Sequence, residues 1–365
     1  MNKNIKFSII IFLILIFILV IYFFDKKENR PIKKNTETSK DKTSLIKENN
    51  KTIQVTEITK SIFIPYWSLN SIGYLNNYDR VIYFGLSGKV NGIDKNDQGY
   101  TNLEKFNNLN IDMEKYLTLR MTNTDENIRI LKDKNAMTQI IEQTLKIAKE
   151  NHFRGVVLDL EMSVLFGNEI PNQINYFSNE LYKKLKENNI KYSIAIYGDV
   201  FYRKRPYDIQ NLAKNSDEIM IMAYDFHKSI GEPGPNFPLS GKEIHNYDME
   251  VMINDFLRIV PQDKITVIFG LYGYDWIVDE KQRPIKPAVS LSLNQIKDKY
   301  LNNCIEPKCK IARDKASKEN MINIKDLDGK DHIIWFEDER SVEEKINFLK
   351  LKGISKFSYW AAGYF

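Results

Sequence analysis

Asp159 and Glu161 stand two residues apart at the end of an apolar run, GVVLDLE at 155–161. Side chains alternate faces along a strand, so Val157, Asp159 and Glu161 point the same way in steps of roughly 6.8 Å. Two carboxylates on one side of a strand end cannot both ionise freely, and one pKa is expected to rise. A carboxyl kept protonated in this way is a general acid suited to a glycosidic oxygen. A later apolar run ends in MAYD at 222–225, which sets the phenol of Tyr224 beside a further carboxylate, Asp225.

Such groups need strands to present them. Strand-like runs occur at 61–67, 80–86, 116–121, 155–161, 191–199, 218–226, 265–276 and 356–365. Between them, apolar residues recur at helical spacing at 137–152, 174–188, 207–215, 249–260 and 342–351. Repeated strand–helix units argue for parallel strands, and eight of them fit an α/β fold of the (β/α)8 TIM barrel type. An open doubly wound sheet is the competing arrangement. No Gly-rich phosphate loop follows any strand, which weighs against a nucleotide-binding version. The polar stretch 278–340 is too long for a barrel connection and is expected to form a small insertion between strands seven and eight.

In a barrel the strand C-termini line the active face. At those ends this sequence places Tyr66, Trp67, Asp159, Glu161, Tyr197, Asp199, Tyr224, Asp225, Tyr272, Tyr274, Trp276, Tyr359 and Trp360. Flat rings stack on pyranose faces and acids handle the glycosidic oxygen, so the set reads as a sugar site. Met222, Tyr66, Tyr272, Tyr274, Trp276 and Trp360 each keep ordinary packing as the alternative. Asp199 and Arg203 either reach an acidic or lactyl substituent of the sugar or form a local ion pair.

Bulk properties narrow the class. Of 365 residues, 43% are hydrophobic and 12% aromatic, ample for a core, and the net charge is only +5. Most of that excess sits in the Lys-rich stretch 25–60, so no basic face of the kind nucleic acid requires is expected. Four scattered histidines offer no ligand spacing, so neither a metal nor a cofactor is expected. Cys304 and Cys309, in CIEPKC, can close as a disulfide or stay as two thiols.

Residues 7–24 form an uninterrupted apolar run of 18 residues, about 27 Å as a helix, just enough to span a bilayer. No small-residue cleavage site follows it, so it reads as a transmembrane signal anchor. The Lys and Arg residues after the run, taken alone, favour a cytoplasmic C-terminus. The chemistry above acts on material outside the cell, and the expectation follows the site. The domains are then 1–24, a cytoplasmic stub and anchor; 25–60, a flexible linker; and 61–365, an extracytoplasmic catalytic barrel.

The chain resembles glycoside hydrolase family 18, the chitinase-like barrels. That family's fourth-strand signature reads D-G-x-D-x-D-x-E, and the corresponding residues here run from Arg154 to Glu161. The last Asp and the Glu are kept as Asp159 and Glu161, while Arg154 and Val157 occupy the two upstream acidic positions. The sixth-strand M-x-Y-D is intact at 222–225. LYGYDW at 271–276, IWFEDERS at 334–341 and SYW at 358–360 are similar to the bacterial branch that includes spore-cortex and peptidoglycan N-acetylglucosaminidases.

The resemblance implies a retaining, substrate-assisted glycosidase acting beside N-acetylglucosamine in peptidoglycan or a chitin-like polymer. It implies Glu161 as proton donor, Asp159 on the acetamido N–H and Tyr224 on the acetamido oxygen. Tyr66 and Asp225 would line the same subsite, with Trp360 as its floor; Asp199, Met222, Tyr272 and Trp276 complete the expected substrate contacts. With Val157 in place of an acid, Asp159 is expected to have a less raised pKa. A lectin-like barrel without turnover is the competing function, and retention of Glu161 weighs against it. A metal-dependent deacetylase needs histidine clusters that the chain lacks.

Overall fold

Eight parallel strands close on themselves. In chain order the strands are β1 (Thr59–Pro65), β2 (Arg80–Lys89), β3 (Gly92–Ile93), β4 (Glu114–Met121), β5 (Gly155–Leu160), β6 (Lys191–Tyr197) and β7 (Glu218–Ala223). They continue with β8 (Ile265–Gly270), β9 (Tyr272–Val278), β10 (Val289–Ser292), β11 (Cys309–Arg313), β12 (Asn320–Lys325), β13 (Asp331–Phe336) and β14 (Lys356–Trp360). The barrel order is β1-β2-β4-β5-β6-β7-β8-β14, with β14 returning to β1, and β3 is a short antiparallel lip on β2. This computed structural model describes residues 57–162, 169–305, 307 and 309–365. The expected anchor at 7–24 and most of the expected linker lie outside the described residues. Among the described residues no helix is long and apolar enough to cross a membrane.

The strands are buried on both faces, as a barrel wrapped in helices demands. Alternation sorts their residues. Ile62, Ile64, Val156, Leu158, Ile219 and Ile221 face outward into the core beneath the helices. Phe63, Ile82, Phe84, Tyr116, Val157, Ala195, Met220, Met222 and Ile268 fill the lumen. Its lower end is polar: the buried Glu218 carboxylate accepts from Arg80 Nη1 at 2.8 Å, from Ser193 Oγ at 2.7 Å and from Thr266 Oγ1. The lumen is therefore packed and pinned at one end, and open space remains only at the C-terminal ends of the strands.

Helices form where the apolar spacing places them. Helix Lys134–Glu150 buries Met137, Ile140, Ile141, Thr144, Ile147 and Ala148, and Asp133 caps it by accepting from the amides of Asn135 and Ala136. The unforeseen helix Thr124–Lys132 is short and mostly polar. Its sequence signal lies in the Asn123 cap, with only Ile130 and Leu131 as buried apolar residues.

The insertion between the seventh and eighth barrel strands is a five-stranded antiparallel sheet, ordered β10-β9-β13-β12-β11. It begins earlier than its composition indicates. The run 265–276 is not one strand: Leu271 donates its N–H to Trp360 O at 3.0 Å, and the chain then turns into β9, which pairs antiparallel with β13. Tyr272, Tyr274 and Trp276 therefore stand on the insertion, not on the barrel. Cys304 and Cys309 are joined in a disulfide within it.

Candidate active site

β5 delivers Asp159 and Glu161 to the C-terminal mouth, two above Val157 on the lumen face. β7 delivers Met222 and, just past its end, Tyr224 and Asp225; β14 delivers Trp360. These six side chains, with Phe63, Phe84 and Tyr272, enclose a cavity of about 180 Å³. Trp360 rests on Phe84, ring centroids 4.8 Å apart and nearly perpendicular, and lies almost parallel to Tyr224 at 6.5 Å. At Gly270 a Cβ would fall 2.4 Å from the Tyr272 ring and 2.9 Å from Tyr224 Cβ, so glycine is what lets the two tyrosines close over the site.

Asp225 occupies the left-handed region at φ 58°, a conformation that short polar residues tolerate best after glycine. Its N–H donates to Asn236 Oδ1 at 2.7 Å, and its carboxylate accepts from the hydroxyls of Tyr272 and Tyr274. Asn236 is fixed in turn: its side chain donates to Gly270 O at 3.0 Å and its N–H to Glu319. The insertion sheet thus supports the barrel loop that carries Asp225.

Burial raises the pKa of both central carboxyls. Asp159 is held well above the ordinary range, first by burial and then by the charge of Glu161, with Arg120 opposing. Its Oδ1 has no hydrogen-bond partner among the described residues. Glu161 is also raised by burial, and the Tyr197 hydroxyl and the charges of Lys228 and Arg205 pull it back. Tyr224 is pushed well up by burial and by the surrounding carboxylates, so its phenol stays a proton donor. With Val157 in place of an acid, burial is the larger cause of the rise at Asp159 and Glu161 the only carboxylate that adds to it. Arg154 is exposed at the opposite end of β5 and cannot compensate for Val157.

Three expected contacts lie elsewhere. Asp199 is buried 4% exposed, and its carboxylate is occupied by Arg203 and by Arg205, the latter through two bonds of 2.6 and 2.8 Å. Of the two alternatives for Asp199, the local ion pair is the one realised. Trp276 is fully buried, its indole N–H donating to Gly231 O at 3.1 Å, so neither ring face can meet a sugar. Tyr66 stands in the turn after β1, outside the cavity lining, with its ring against the Arg120 guanidinium at 5.0 Å. Its neighbour Trp67, 49% exposed and 6.2 Å from Trp360, offers an open aromatic face instead.

Two residues take parts that the sequence did not assign: Tyr197, expected only at a strand end, and Arg120, not expected in the site at all. Tyr197, at the end of β6, donates its hydroxyl to Glu161 Oε2 at 2.6 Å. Arg120, level with Asp159 in the β4–β5 register, donates to Gly85 O at 2.9 Å and pairs with Asp97. Alternation was the available signal: Ser193, Ala195 and Tyr197 share one face, as do Tyr116, Thr118 and Arg120. A wider cleft of about 410 Å³ lies outside the barrel, against helix Glu339–Leu351, and none of these side chains reaches it. Among the described residues no group of three or more His, Cys, Asp or Glu side chains is arranged to hold a metal.

Residues 20–364 match the sequence profile of Glycosyl hydrolases family 18. The Cortical fragment-lytic enzyme of Bacillus anthracis is 32% identical over 150 residues, covering 40% of this chain and 31% of that enzyme. The enzyme of the same name from Bacillus subtilis is 25% identical over 240 residues, covering 64% of this chain and 52% of that enzyme. The chain thus spans between 31% and 64% of the length of the curated relatives it matches. The crystal structure of the Bacillus cereus spore cortex-lytic enzyme SleL superimposes with a TM-score of 0.67 at 21% identity, covering 84% of this chain and 71% of that one. Class V chitinase from Nicotiana tobaccum gives 0.71 at 17% identity, covering 84% and 94%. At those identities the two structures speak for the fold.

Proposed function

The chain belongs to glycosyl hydrolases family 18, and on that premise we propose that it hydrolyses glycosidic bonds next to N-acetylglucosamine in peptidoglycan or a chitin-like polymer. One observation carries the reading: Asp159, Glu161, Tyr224 and Trp360 line a single cavity at the C-terminal mouth of the barrel. Glu161, its proton retained by burial, protonates the leaving oxygen. The substrate's own acetamido carbonyl attacks the anomeric carbon, the substrate-assisted route that distinguishes this family from two-carboxylate retention. Asp159 accepts from the acetamido N–H and Tyr224 donates to the acetamido oxygen. Trp360 floors the sugar, and Glu161 returns as base for the incoming water.

The relatives named for cortex fragments favour a peptidoglycan substrate over chitin. The apolar run at 7–24 supports a membrane-anchored chain, and the disulfide between Cys304 and Cys309 supports an extracytoplasmic barrel, since such bonds persist in oxidising compartments. The test is digestion of purified peptidoglycan and of chitin oligomers by the full chain, with the new reducing-end sugar identified by mass spectrometry. N-acetylglucosamine at the new reducing ends, absent with Glu161→Gln, is the expected result. Binding of either polymer without product sinks the enzymatic reading and leaves the lectin-like one.

A further inference from the structure

Beside the acid lies a second opening of about 390 Å³, lined by Arg203, Arg205, Phe226, Lys228, Ile230 and Glu232 among others. Tyr197 joins it to the cavity. The hydroxyl of that ring holds Glu161, while Arg205 Cζ sits 3.7 Å and Lys228 Nζ 5.5 Å from the ring centroid. The chain segment is shared as well, because Asp225 lines the cavity and Phe226 and Lys228 line the groove.

The groove holds more positive charge than its own acids offset. Arg205 is spent on Asp199 through two hydrogen bonds. Arg203 gives one arm to Asp199 and another to Phe226 O at 3.0 Å, and its side chain remains 40% exposed. Lys228 forms no ion pair among the described residues; it stands over the face of Tyr197, and its charge reaches Glu161 only from a distance. Glu232 is exposed and also acts on Arg283. A half-buried ammonium without a direct ion pair, set beside an apolar wall at Phe226, is a place for an anionic group on a carbon framework.

We propose that this groove is a subsite for a carboxylate carried by the glycan next to the bond being cut, which makes the substrate an acidic glycan and not neutral chitin. The inference deepens the proposed function and rests on it. Peptidoglycan offers that chemistry from two sources, the lactyl carboxylate of a muramoyl sugar and the carboxylates of its peptide.

The test is equilibrium binding, which needs no turnover. Full-length Glu161→Gln and Glu161→Gln/Lys228→Gln chains are titrated with chitotetraose, with a peptide-free peptidoglycan tetrasaccharide, and with the same tetrasaccharide bearing its peptides. At least one acidic ligand should bind Glu161→Gln about tenfold more tightly than chitotetraose, as a charge-assisted contact implies. That preference should vanish in the double variant and return with Lys228→Arg. Chitotetraose affinity should move less than about twofold, which also reports that the variant is folded. Preference for the peptide-free ligand assigns the lactyl source, and preference for the peptide-bearing one assigns the peptide. Equal affinity for all three ligands, no binding of any, or a uniform loss in the double variant overturns the proposal. Failure of the parent reading shows separately, as the absence of new reducing ends from the unsubstituted chain.

Discussion

The Tyr197 hydroxyl donates to Glu161 Oε2 at 2.6 Å, and the face of the same ring carries the Arg205 guanidinium. The acid is therefore held by a phenol that is itself pinned. Two opposing effects set its protonation: burial favours the neutral carboxyl, and the phenol stabilises the carboxylate. An acid that must give up and then recover its proton works best between those limits.

Replacing Tyr197 with Phe removes the hydrogen bond and keeps the ring. With its carboxylate less stabilised, Glu161 should have a still higher pKa. The alkaline limb of the kcat/KM profile, where the acid loses its proton, should move to higher pH. The maximal rate should fall about tenfold or more, the usual worth of a hydrogen bond to a charged group. A pH–rate profile on a soluble oligosaccharide checks this, and a limb that stays put or moves down contradicts it.

Asp159 lends itself to a stability measurement. Its folded pKa is raised, so its contribution is intact below the ordinary carboxylate range and declines as pH climbs toward its own value. Asp159→Asn cannot ionise. The stability difference between the variant and the parent should therefore drift in the variant's favour by roughly 1.4 kcal/mol per pH unit across that window. Denaturant melts at a series of pH values measure the drift. A difference independent of pH would mean that Asp159 is not held neutral. Activity should be lost at every pH, since an amide there cannot ionise to offset the positive charge that forms on the acetamido group.

Val157 sits in the lumen with no exposure, on the same face as Asp159. Val157→Asp would place a third carboxyl in that column. The new group has no partner in a packed apolar layer, so a destabilisation of roughly 1–3 kcal/mol is expected. In the variants that fold, Asp159 gains an acidic neighbour to share a proton with, and the pH–rate profile should change shape. An unchanged profile would show that the acid at this position has no part in the coupling.

How far the sequence reveals this arrangement depends on the range of the contacts. The barrel and the pair Asp159–Glu161 are legible because alternation is local, fixed by two-residue steps within one strand. The β9 turn is not. LYGYDW continues the pattern of β8 without a break, and the strand ends at Gly270 only because Leu271 pairs with Trp360, 89 positions further along. Asp199 and Trp276 were misread for a related reason. Each has the right type near the end of an apolar run, but the groups that consume them, Arg205 and the carbonyl of Gly231, depend on loop paths with no periodicity.

Support for Asp225 extends to a buried cation. Lys345, on helix Glu339–Leu351, is fully buried between Glu319 and Glu337, with Nζ 2.7 Å from Glu319 Oε1. Glu319 accepts the N–H groups of Asn236 and Phe237, and Asn236 holds the amide of Asp225. Lys345→Met leaves two buried carboxylates facing each other, a loss of roughly 3–5 kcal/mol. Lys345→Met/Glu337→Gln should recover part of it by removing one of them. Burial pushes Glu337 up to about 8, so its contribution is complete below the ordinary carboxylate range and fades as pH climbs toward that value. The unsubstituted chain should therefore lose stability as pH rises from the ordinary carboxylate range to about 8 and level off above it, and the double variant should lack that component. Thermal melts between pH 6 and 9 decide the matter: parallel curves for the parent and the double variant would remove Glu337 from the account. A full-strength single variant would show that the triad does not support the loop bearing Asp225.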